Sequence, residues 1–202
     1  MKRCIALFHH GWADWESGFV LAALREDFGF TVRIATPGAA EVASIGGVRA
    51  AADLAFDAVD PADLDLLLVI GSASWTAAEN PEVTALLRRA DAAGLPMGAI
   101  CAGTLAAARA GLLDDRPHTS NAQAFLQARL PAYGGAAFYQ DTPRAVTGRN
   151  LVTAPGSAPA SFAVAVLRLA APERAADIAA YQAMLGAEHA PPGGPVPTGG
   201  TG

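Results

Sequence analysis

Cysteine is scarce in this sequence, and so is charge of either sign. Only two of the 202 residues are cysteine, at positions 4 and 101, which excludes the disulfide framework of small secreted domains and predicts reduced thiols. Charged residues make up 16% of the chain, the formal net charge is −5, and the arginines are scattered, so the sequence lacks the basic footprint of a nucleic-acid-binding protein. No apolar run approaches a membrane span, and the apolar part of residues 1–10 is too short for a signal peptide. We therefore expect a cytoplasmic protein with no nucleic-acid or membrane partner.

Metal-binding patterns are also missing. The four histidines form no recognised ligand spacing with cysteine or acidic residues, so neither a metal nor another cofactor is expected; they are His9, His10, His118 and His189. What the chain does have is 52% hydrophobic residues in a length that suits one domain, typical of a heavily buried sheet. Proline and glycine dominate from Gly186 onward, which predicts a single domain over residues 1–185 and a disordered tail over 186–202.

Short apolar runs alternate with helical patterns along the chain, and this alternation predicts an α/β fold with a mostly parallel sheet. The run at 64–70 is uniformly aliphatic, as in a central strand buried on both faces. Asn80 and Asn121 stand where helix caps are expected. The predicted strands and extended segments are 4–8, 31–36, 64–70, 97–100, 118–120, 137–140, 146 and 151–154. The predicted helices are 15–28, 81–93, 104–110, 122–130, 159–169 and 173–185.

The most informative segment ends one of these strands. An apolar run leads to Cys101, which has small residues on either side and a helical pattern behind it. This pattern favours a tight strand-to-helix turn that holds a side chain clear of the backbone. A thiol at a helix N-terminus can have its pKa lowered from about 8.5 to roughly 3.5–7.5. Cys101 is therefore a candidate nucleophile.

Three other features lie where a strand is predicted to end. His9 and His10 lead through a tryptophan-rich loop to Glu16, Gly71 and Ser72 follow the central strand, and Ser157 follows the last strand. In an open α/β sheet, ligands bind outside the carboxyl ends of the strands. These features are therefore expected to line one pocket together with Cys101.

Five ordered motifs over roughly residues 2–170 resemble the DJ-1/PfpI superfamily. They are Asp14-Trp15-Glu16, Ile70-Gly71-Ser72, Ala99-Ile100-Cys101-Ala102-Gly103-Thr104, Arg109-Ala110-Gly111-Leu112-Leu113 and Pro117-His118-Thr119-Ser120-Asn121. The resemblance implies a flavodoxin-like three-layer sandwich, shared with class I glutamine amidotransferases, and a homodimer.

The resemblance also implies roles for particular residues. Cys101 matches the reactive cysteine of the family, and Glu16 matches the acidic residue that hydrogen-bonds its sulfur. The backbone amides of Ser72 and Ala102 match the donors that hold an oxyanion, and His118 matches the histidine that other members bring near the cysteine. The expected binding residues of the pocket are His9, Trp12, Trp15, Gly71, Trp75 and Ser157.

Departures from the family pattern exclude some activities. The protease-like and glyoxalase-III-like branches have a histidine directly after the cysteine, whereas this chain has Ala102. Glutamine amidotransferases need a His and Glu pair late in the chain, and the region after Leu151 has no such pair before the tail. Isocyanide hydratases use Asp and Thr where this chain has Glu16 and Ala102, so an isocyanide hydratase-like lyase is a weaker alternative.

Two hypotheses of different class stay open at this point. In one, the protein is an enzyme in which Cys101 adds to a small electrophile such as a reactive aldehyde or glyoxal, with proton transfer by Glu16 or His118. In the other, it is an oxidative-stress sensor or protective protein, in which oxidised Cys101 is held by Glu16 without turnover. The substrate itself is not predicted.

Overall fold

The apolar runs of the sequence form the strands of a central sheet in the computed structural model, which describes residues 1–77 and 79–188. The strands are β1 (Lys2–Leu7), β2 (Phe30–Thr36), β3 (Val42–Ala43), β4 (Arg49–Ala50), β5 (Leu54–Ala55), β6 (Leu66–Val69), β7 (Met97–Ile100), β8 (Val146–Gly148) and β9 (Leu151–Ala154). The helices are α1 (Asp14–Glu26), α2 (Ser74–Ala77), α3 (Pro81–Ala92), α4 (Thr104–Arg109), α5 (Gln123–Arg129), α6 (Pro159–Ala170) and α7 (Ala175–Ala187).

Seven strands form one sheet in the order β5-β2-β1-β6-β7-β9-β8, and β3 pairs with β4 in a separate hairpin. Every pair in the large sheet is parallel except β8 with β9. The predicted α/β fold with a mostly parallel sheet is confirmed. Because the strands are parallel, the ends of β1, β6, β7 and β9 lie at one edge of the sheet, and the loops that carry the candidate residues begin there.

The sheet separates two hydrophobic cores, as alternation along a strand requires. In β1, Cys4 and Ala6 face a core that contains residues of α1, α6 and α7. Ile5 and Leu7 face the opposite core, which contains residues of α3, α4 and α5. These helix layers and the sheet between them form a three-layer sandwich. Cys101 packs against both cores, because it lies just beyond the end of β7.

Local departures from the sequence prediction occur in the loops and at chain ends. The segment 137–140 was predicted to be extended, but a 3₁₀ helix covers Gly135–Phe138, and only Tyr139 makes a bridge, to His118. Helix α7 runs to Ala187, beyond its predicted end at Leu185. The rest of the predicted tail, residues 189–202 with His189, lies outside the described residues.

Two further features of the described residues are the length of their helices and the placement of their metal-ligating side chains. In residues 1–77 and 79–188, no helix has both the length and the apolar character needed to span a bilayer. Within the same ranges, no group of three or more His, Cys, Asp or Glu side chains is placed to hold a metal ion.

Candidate active site

Cys101 occupies a strained turn between β7 and α4. Its backbone φ is +56°, in the left-handed region that L side chains rarely adopt, and a 3₁₀ turn over Cys101–Gly103 leads into the helix. The hydroxyl of Thr104 donates to the Cys101 carbonyl over 2.6 Å and so ties the turn together. Such strain persists only where the surrounding structure imposes it, and it is concentrated at functional sites. The strand-to-helix turn predicted from the sequence is present, and it leaves Cys101 partly exposed.

Glu16, in the first turn of α1, is completely buried beside the cysteine. Its Oε2 atom accepts a hydrogen bond from the Gly71 amide over 2.9 Å. Its other oxygen, Oε1, faces the Cys101 side chain and has no partner of good hydrogen-bond geometry among the described residues. A buried carboxyl group with one free oxygen aimed at a thiol is placed to exchange a proton with it.

Two glycines allow the carboxyl group and the thiol to meet. A Cβ atom at Gly71 would lie 2.7 Å from the Cys101 Cβ and would also collide with Glu16 Oε2. At Gly156, in the loop after β9, a Cβ would lie 2.8 Å from the Cys101 sulfur and 2.9 Å from Glu16 Oε1. Real Cβ atoms do not come this close, so the walls of the site on these two sides are backbone alone.

Asn121 completes the surroundings of the sulfur. Its Nδ2 atom donates to Cys101 Sγ over 3.2 Å, and its Oδ1 accepts from the Gly156 amide over 2.9 Å. The expected cap at this position is wrong, because α5 begins at Gln123 without a side-chain cap and the Asn121 carboxamide is directed to the cysteine instead. Asn80 likewise makes no cap hydrogen bond to α3, and its side chain bonds to His9.

The electrostatics of the pair favour retention of a proton. Burial raises the pKa of Glu16 to about 7, against smaller lowering effects of hydrogen bonds with Cys101 and the Gly71 amide. Burial, followed by the negative charge of Glu16, raises the pKa of Cys101 to about 11, while Asn121 and the Ala102 backbone lower it. The lowered thiol pKa expected from a helix N-terminus is therefore not found while Glu16 is ionised. Protonation of Glu16 removes this repulsion and supplies an O–H donor, so the thiolate is favoured when the carboxyl group holds the proton.

The two expected oxyanion donors lie next to the pair in sequence. Ala102 follows Cys101 in the turn, and its backbone hydrogen-bonds to the sulfur. Ser72 follows Gly71, is buried, and donates its hydroxyl to the carbonyl of His10 over 2.6 Å. That hydrogen bond ties the loop after β6 to the loop after β1.

His118 lies in a different environment from the one expected. Its ring is fully buried, with Nδ1 bonded to the Arg116 carbonyl over 2.9 Å and Nε2 bonded to the Tyr133 hydroxyl over 2.5 Å. Burial lowers its pKa, so the neutral ring is favoured. Asn121, three residues further along the chain, contacts the sulfur instead. A proton-transfer role for His118 stays a prediction without a supporting contact.

The aromatic residues expected to bind a ligand separate into two groups. Trp15 is half-exposed, and its indole N–H donates to the Gly156 carbonyl over 2.9 Å, so it lies at the site. Trp75 belongs to the core: it is fully buried and its indole N–H donates to the Ile70 carbonyl over 2.7 Å. The expectation that Trp75 lines an open pocket is therefore wrong.

Trp12, His9 and Ser157 are the remaining expected binding residues. Within residues 1–77 and 79–188, none of the three makes a hydrogen bond to the Cys101 sulfur. Trp12 is buried against Phe8, with 4.4 Å between the ring centroids. His9 packs edge-on against the buried Trp75 ring at 5.2 Å. Ser157 is exposed and lines a groove of about 390 Å³ with Phe19 and Met184.

Asn121 is a site residue that is not predicted from the sequence. A usable signal was present, since Asn121 ends the Pro117–Asn121 motif at the mouth of the sheet. Its role was masked because the same residue type is also a good helix cap.

Fold and site together define an α/β protein with a cysteine at a nucleophile elbow. The family model for the DJ-1/PfpI family matches residues 1–169, and the chain belongs to this family. Among solved structures, the DJ-1 superfamily protein Atu0886 from Agrobacterium tumefaciens is 38% identical, with a TM-score of 0.84 over 94% of this chain and 100% of that one. A thiJ/pfpI family protein from Bacillus anthracis is 28% identical, with a TM-score of 0.76 over 94% and 92%. The protein named "Uncharacterized protease YoaZ" from Bacillus subtilis is 32% identical over 79% of each chain.

Proposed function

We propose that this protein is a cysteine-dependent enzyme that acts on small electrophiles, such as a reactive aldehyde or a glyoxal. The observation that supports it is the contact between a partly exposed thiol on a strained turn and a fully buried carboxyl group. A sensor needs a reactive sulfur, but an acid whose pKa is raised to about 7 beside that sulfur is suited to repeated proton transfer at neutral pH.

The proposed reaction begins with a proton moved from Cys101 to Glu16. The thiolate adds to the aldehyde carbon and forms a hemithioacetal, while the Ser72 and Ala102 amides hold the negative charge that develops on the oxygen. The protonated Glu16 then supplies the proton that neutralises this oxygen. In this step the S–H bond breaks, an S–C bond and an O–H bond form, and the C=O double bond becomes a single bond.

A glyoxal allows the reaction to continue. Glu16 takes the proton from the hemithioacetal carbon and gives it to the neighbouring carbonyl oxygen, which forms an enediol. The hydroxyl group on the sulfur-bearing carbon then loses its proton, and the second carbon gains one through Glu16, which gives a thioester of a 2-hydroxy acid. Water then cleaves the thioester and frees the thiol. The sum is an α-oxoaldehyde plus water giving a 2-hydroxy acid, with no external oxidant or reductant.

Turnover of methylglyoxal to lactate by the purified protein tests this proposal. Cys101→Ser should abolish turnover, and Glu16→Gln should lower kcat by about 10²-fold or more, the usual contribution of a general acid or base. The second cysteine, Cys4, provides the matched control. It belongs to β1 and its side chain is buried in the core, so Cys4→Ala should keep the activity. Turnover that survives Cys101→Ser would contradict the proposal.

A second candidate function is the oxidative-stress sensor. The observation in its favour is the set of donors around the sulfur, Asn121 Nδ2 and the Ala102 backbone, with the carboxyl group of Glu16 as a third when protonated. These donors would stabilise the anionic oxygens of a sulfinate. Peroxide titration followed by intact mass separates the two functions: rapid, selective oxidation of Cys101 in a protein that does not turn over aldehydes would favour the sensor.

Two further expectations stay proposals. The family resemblance implies a homodimer, which analytical ultracentrifugation would test. The presence of two free cysteines agrees with a reducing, cytoplasmic location, which fractionation of the source cells would test.

A further inference from the structure

A line of hydrogen bonds connects the surface of the protein to the Cys101 sulfur. Trp15, half-exposed on the first turn of α1, donates its indole N–H to the Gly156 carbonyl. The amide of Gly156 donates to Asn121 Oδ1, and Asn121 Nδ2 donates to the sulfur. Each of the first two bonds is 2.9 Å long, and the third is 3.2 Å. Residue Gly156 is thus held at both of its flanking peptide groups, by Trp15 at its carbonyl and by Asn121 at its amide.

This line fixes which atom of Asn121 meets the sulfur. An amide N–H can only donate, so Oδ1 must face Gly156 and the NH₂ group must face Cys101. A carboxamide does not titrate in the physiological range, so Asn121 offers a donor to the sulfur whatever the protonation state of Glu16. Movement of Gly156 away from this position would remove the N–H from which Oδ1 accepts and would release this orientation.

We propose that Trp15 is a positioning residue for Cys101, which fixes the position of Gly156 and, through it, the Asn121 side chain that donates a hydrogen bond to the sulfur. The inference rests on the proposed function only in so far as Cys101 is the reacting group. It assigns to a half-exposed indole a role in thiolate stabilisation, although the indole itself makes its hydrogen bond to Gly156 and not to the sulfur.

The test measures the thiol directly and does not depend on the substrate. The rate of Cys101 alkylation by iodoacetamide is followed by intact mass across pH in the full chain, for the wild type, Trp15→Phe, Asn121→Ala and the double variant. Glu16 is the charged group that acts on the sulfur among the described residues, and it is unchanged in all four proteins. Trp15 and Asn121 are both exposed, so neither change removes a core side chain.

We expect Asn121→Ala to lower the alkylation rate at neutral pH about tenfold and to move its pH midpoint upward, because a hydrogen bond to a charged sulfur is lost. Trp15→Phe, which keeps a ring and removes the N–H, should lower the rate about threefold in the same direction. In the double variant the Trp15 effect should disappear, because the line is already broken at Asn121. Phe19→Leu, one turn further along α1 and 41% exposed, is the matched control and should leave the rate unchanged.

Two results would overturn the inference: an alkylation profile of Trp15→Phe identical to the wild type, or rate effects of Trp15 and Asn121 that multiply independently. The outcome is separable from that of the proposed function. Coupled effects on alkylation in a protein without aldehyde turnover would leave the positioning role standing and remove the enzyme. Cys101-dependent turnover with independent effects would do the reverse.

Discussion

Glu16 and Arg116 are both charged side chains buried in this protein, at 0% and 3% exposure, and their surroundings are opposite. Arg116 forms a two-pronged ion pair with Asp91, at 2.7 and 2.9 Å, and a further hydrogen bond to Asn150 over 3.1 Å. Glu16 accepts a hydrogen bond from one backbone amide. Among the described residues it forms no ion pair, and its Oε1 has no partner of good hydrogen-bond geometry. The Arg116 pair lowers the pKa of Asp91 chiefly through hydrogen bonding, whereas burial raises the pKa of Glu16.

The difference separates a structural charge from a chemical one. A buried charge whose hydrogen-bonding capacity is satisfied stays ionised and keeps its neighbours in place. A buried charge that lacks a counterion is held near the point at which it gains or loses a proton, which is costly for stability and useful for catalysis.

The largest effect on stability is expected at the ion pair. Asp91→Ala removes the two-pronged partner of the buried Arg116 guanidinium and leaves it only the exposed Asp115 carboxylate, 3.5 Å away, which should lower the free energy of unfolding by about 3–5 kcal/mol. Urea denaturation at neutral pH measures it. Neither Asp91 nor Arg116 contacts Cys101 or Glu16 in the described residues. Methylglyoxal turnover per folded molecule should therefore stay close to that of the wild type. A loss below about 1 kcal/mol, the value of a surface ion pair, would show that Arg116 is not effectively buried.

The opposite sign is expected at Glu16. Its pKa is raised from 4.5 to about 7 in the folded protein, so the folded state binds the proton more tightly than the unfolded state between these values. Stability must then fall as pH rises from 4.5 through 7. Glu16→Gln removes this titration and should be more stable than the wild type by about 3 kcal/mol above pH 7, while losing activity. Thermal unfolding of both proteins across this range checks the prediction, and parallel stability curves would contradict it.

Acid should weaken the Arg116 pair. The pKa of Asp91 lies below its ordinary value of 3.8, so its contribution is complete above that pH and is lost as pH falls through the lowered pKa. The difference in stability between the wild type and Asp91→Ala should therefore shrink in acid. A difference that stays constant down to the acid transition of the protein would show that the carboxylate is not what holds Arg116.

A smaller effect is expected at Asn150, which accepts from Arg116 and donates to the Leu95 carbonyl over 2.9 Å. Asn150→Ala should cost about 1–2 kcal/mol, because the Asp91 pair remains and only two hydrogen bonds are lost. Asn150→Asp keeps the acceptor for Arg116 and loses the donor to Leu95, so it should fall between the wild type and Asn150→Ala. Chemical denaturation of the three proteins measures this order.

The fold could be predicted from the sequence because its strands are strongly patterned. Met97–Ile100 and Leu151–Ala154 have the predicted bounds, since a continuous apolar run between turn residues leaves few alternatives. The prediction for 137–140 is wrong because an apolar run of three residues, Ala137–Tyr139, is too short to distinguish a strand from a 3₁₀ turn, and its single bridge at Tyr139 depends on tertiary contacts.

The candidate site was predicted less completely. Cys101 and Glu16 belong to local motifs whose positions at strand ends follow from the fold. The sequence predicts Asn121 to be a helix cap. Its contact with the sulfur could not be predicted, because the Asn121 side chain is oriented by Gly156, 35 residues away in sequence. Trp75 was placed at the pocket because loop position does not reveal that the indole turns back to the Ile70 carbonyl.

The glycine walls of the site have a consequence for how this protein can diversify. At Gly71 and Gly156 even one added methyl group would displace the sulfur or the carboxyl group, so neither position can be used to adjust substrate size. New substrate preferences must arise from side chains further out, such as Trp15 and Ser157, while the reacting pair stays the same. Relatives that keep both glycines are therefore expected to share one chemistry and to differ in the molecules that they admit.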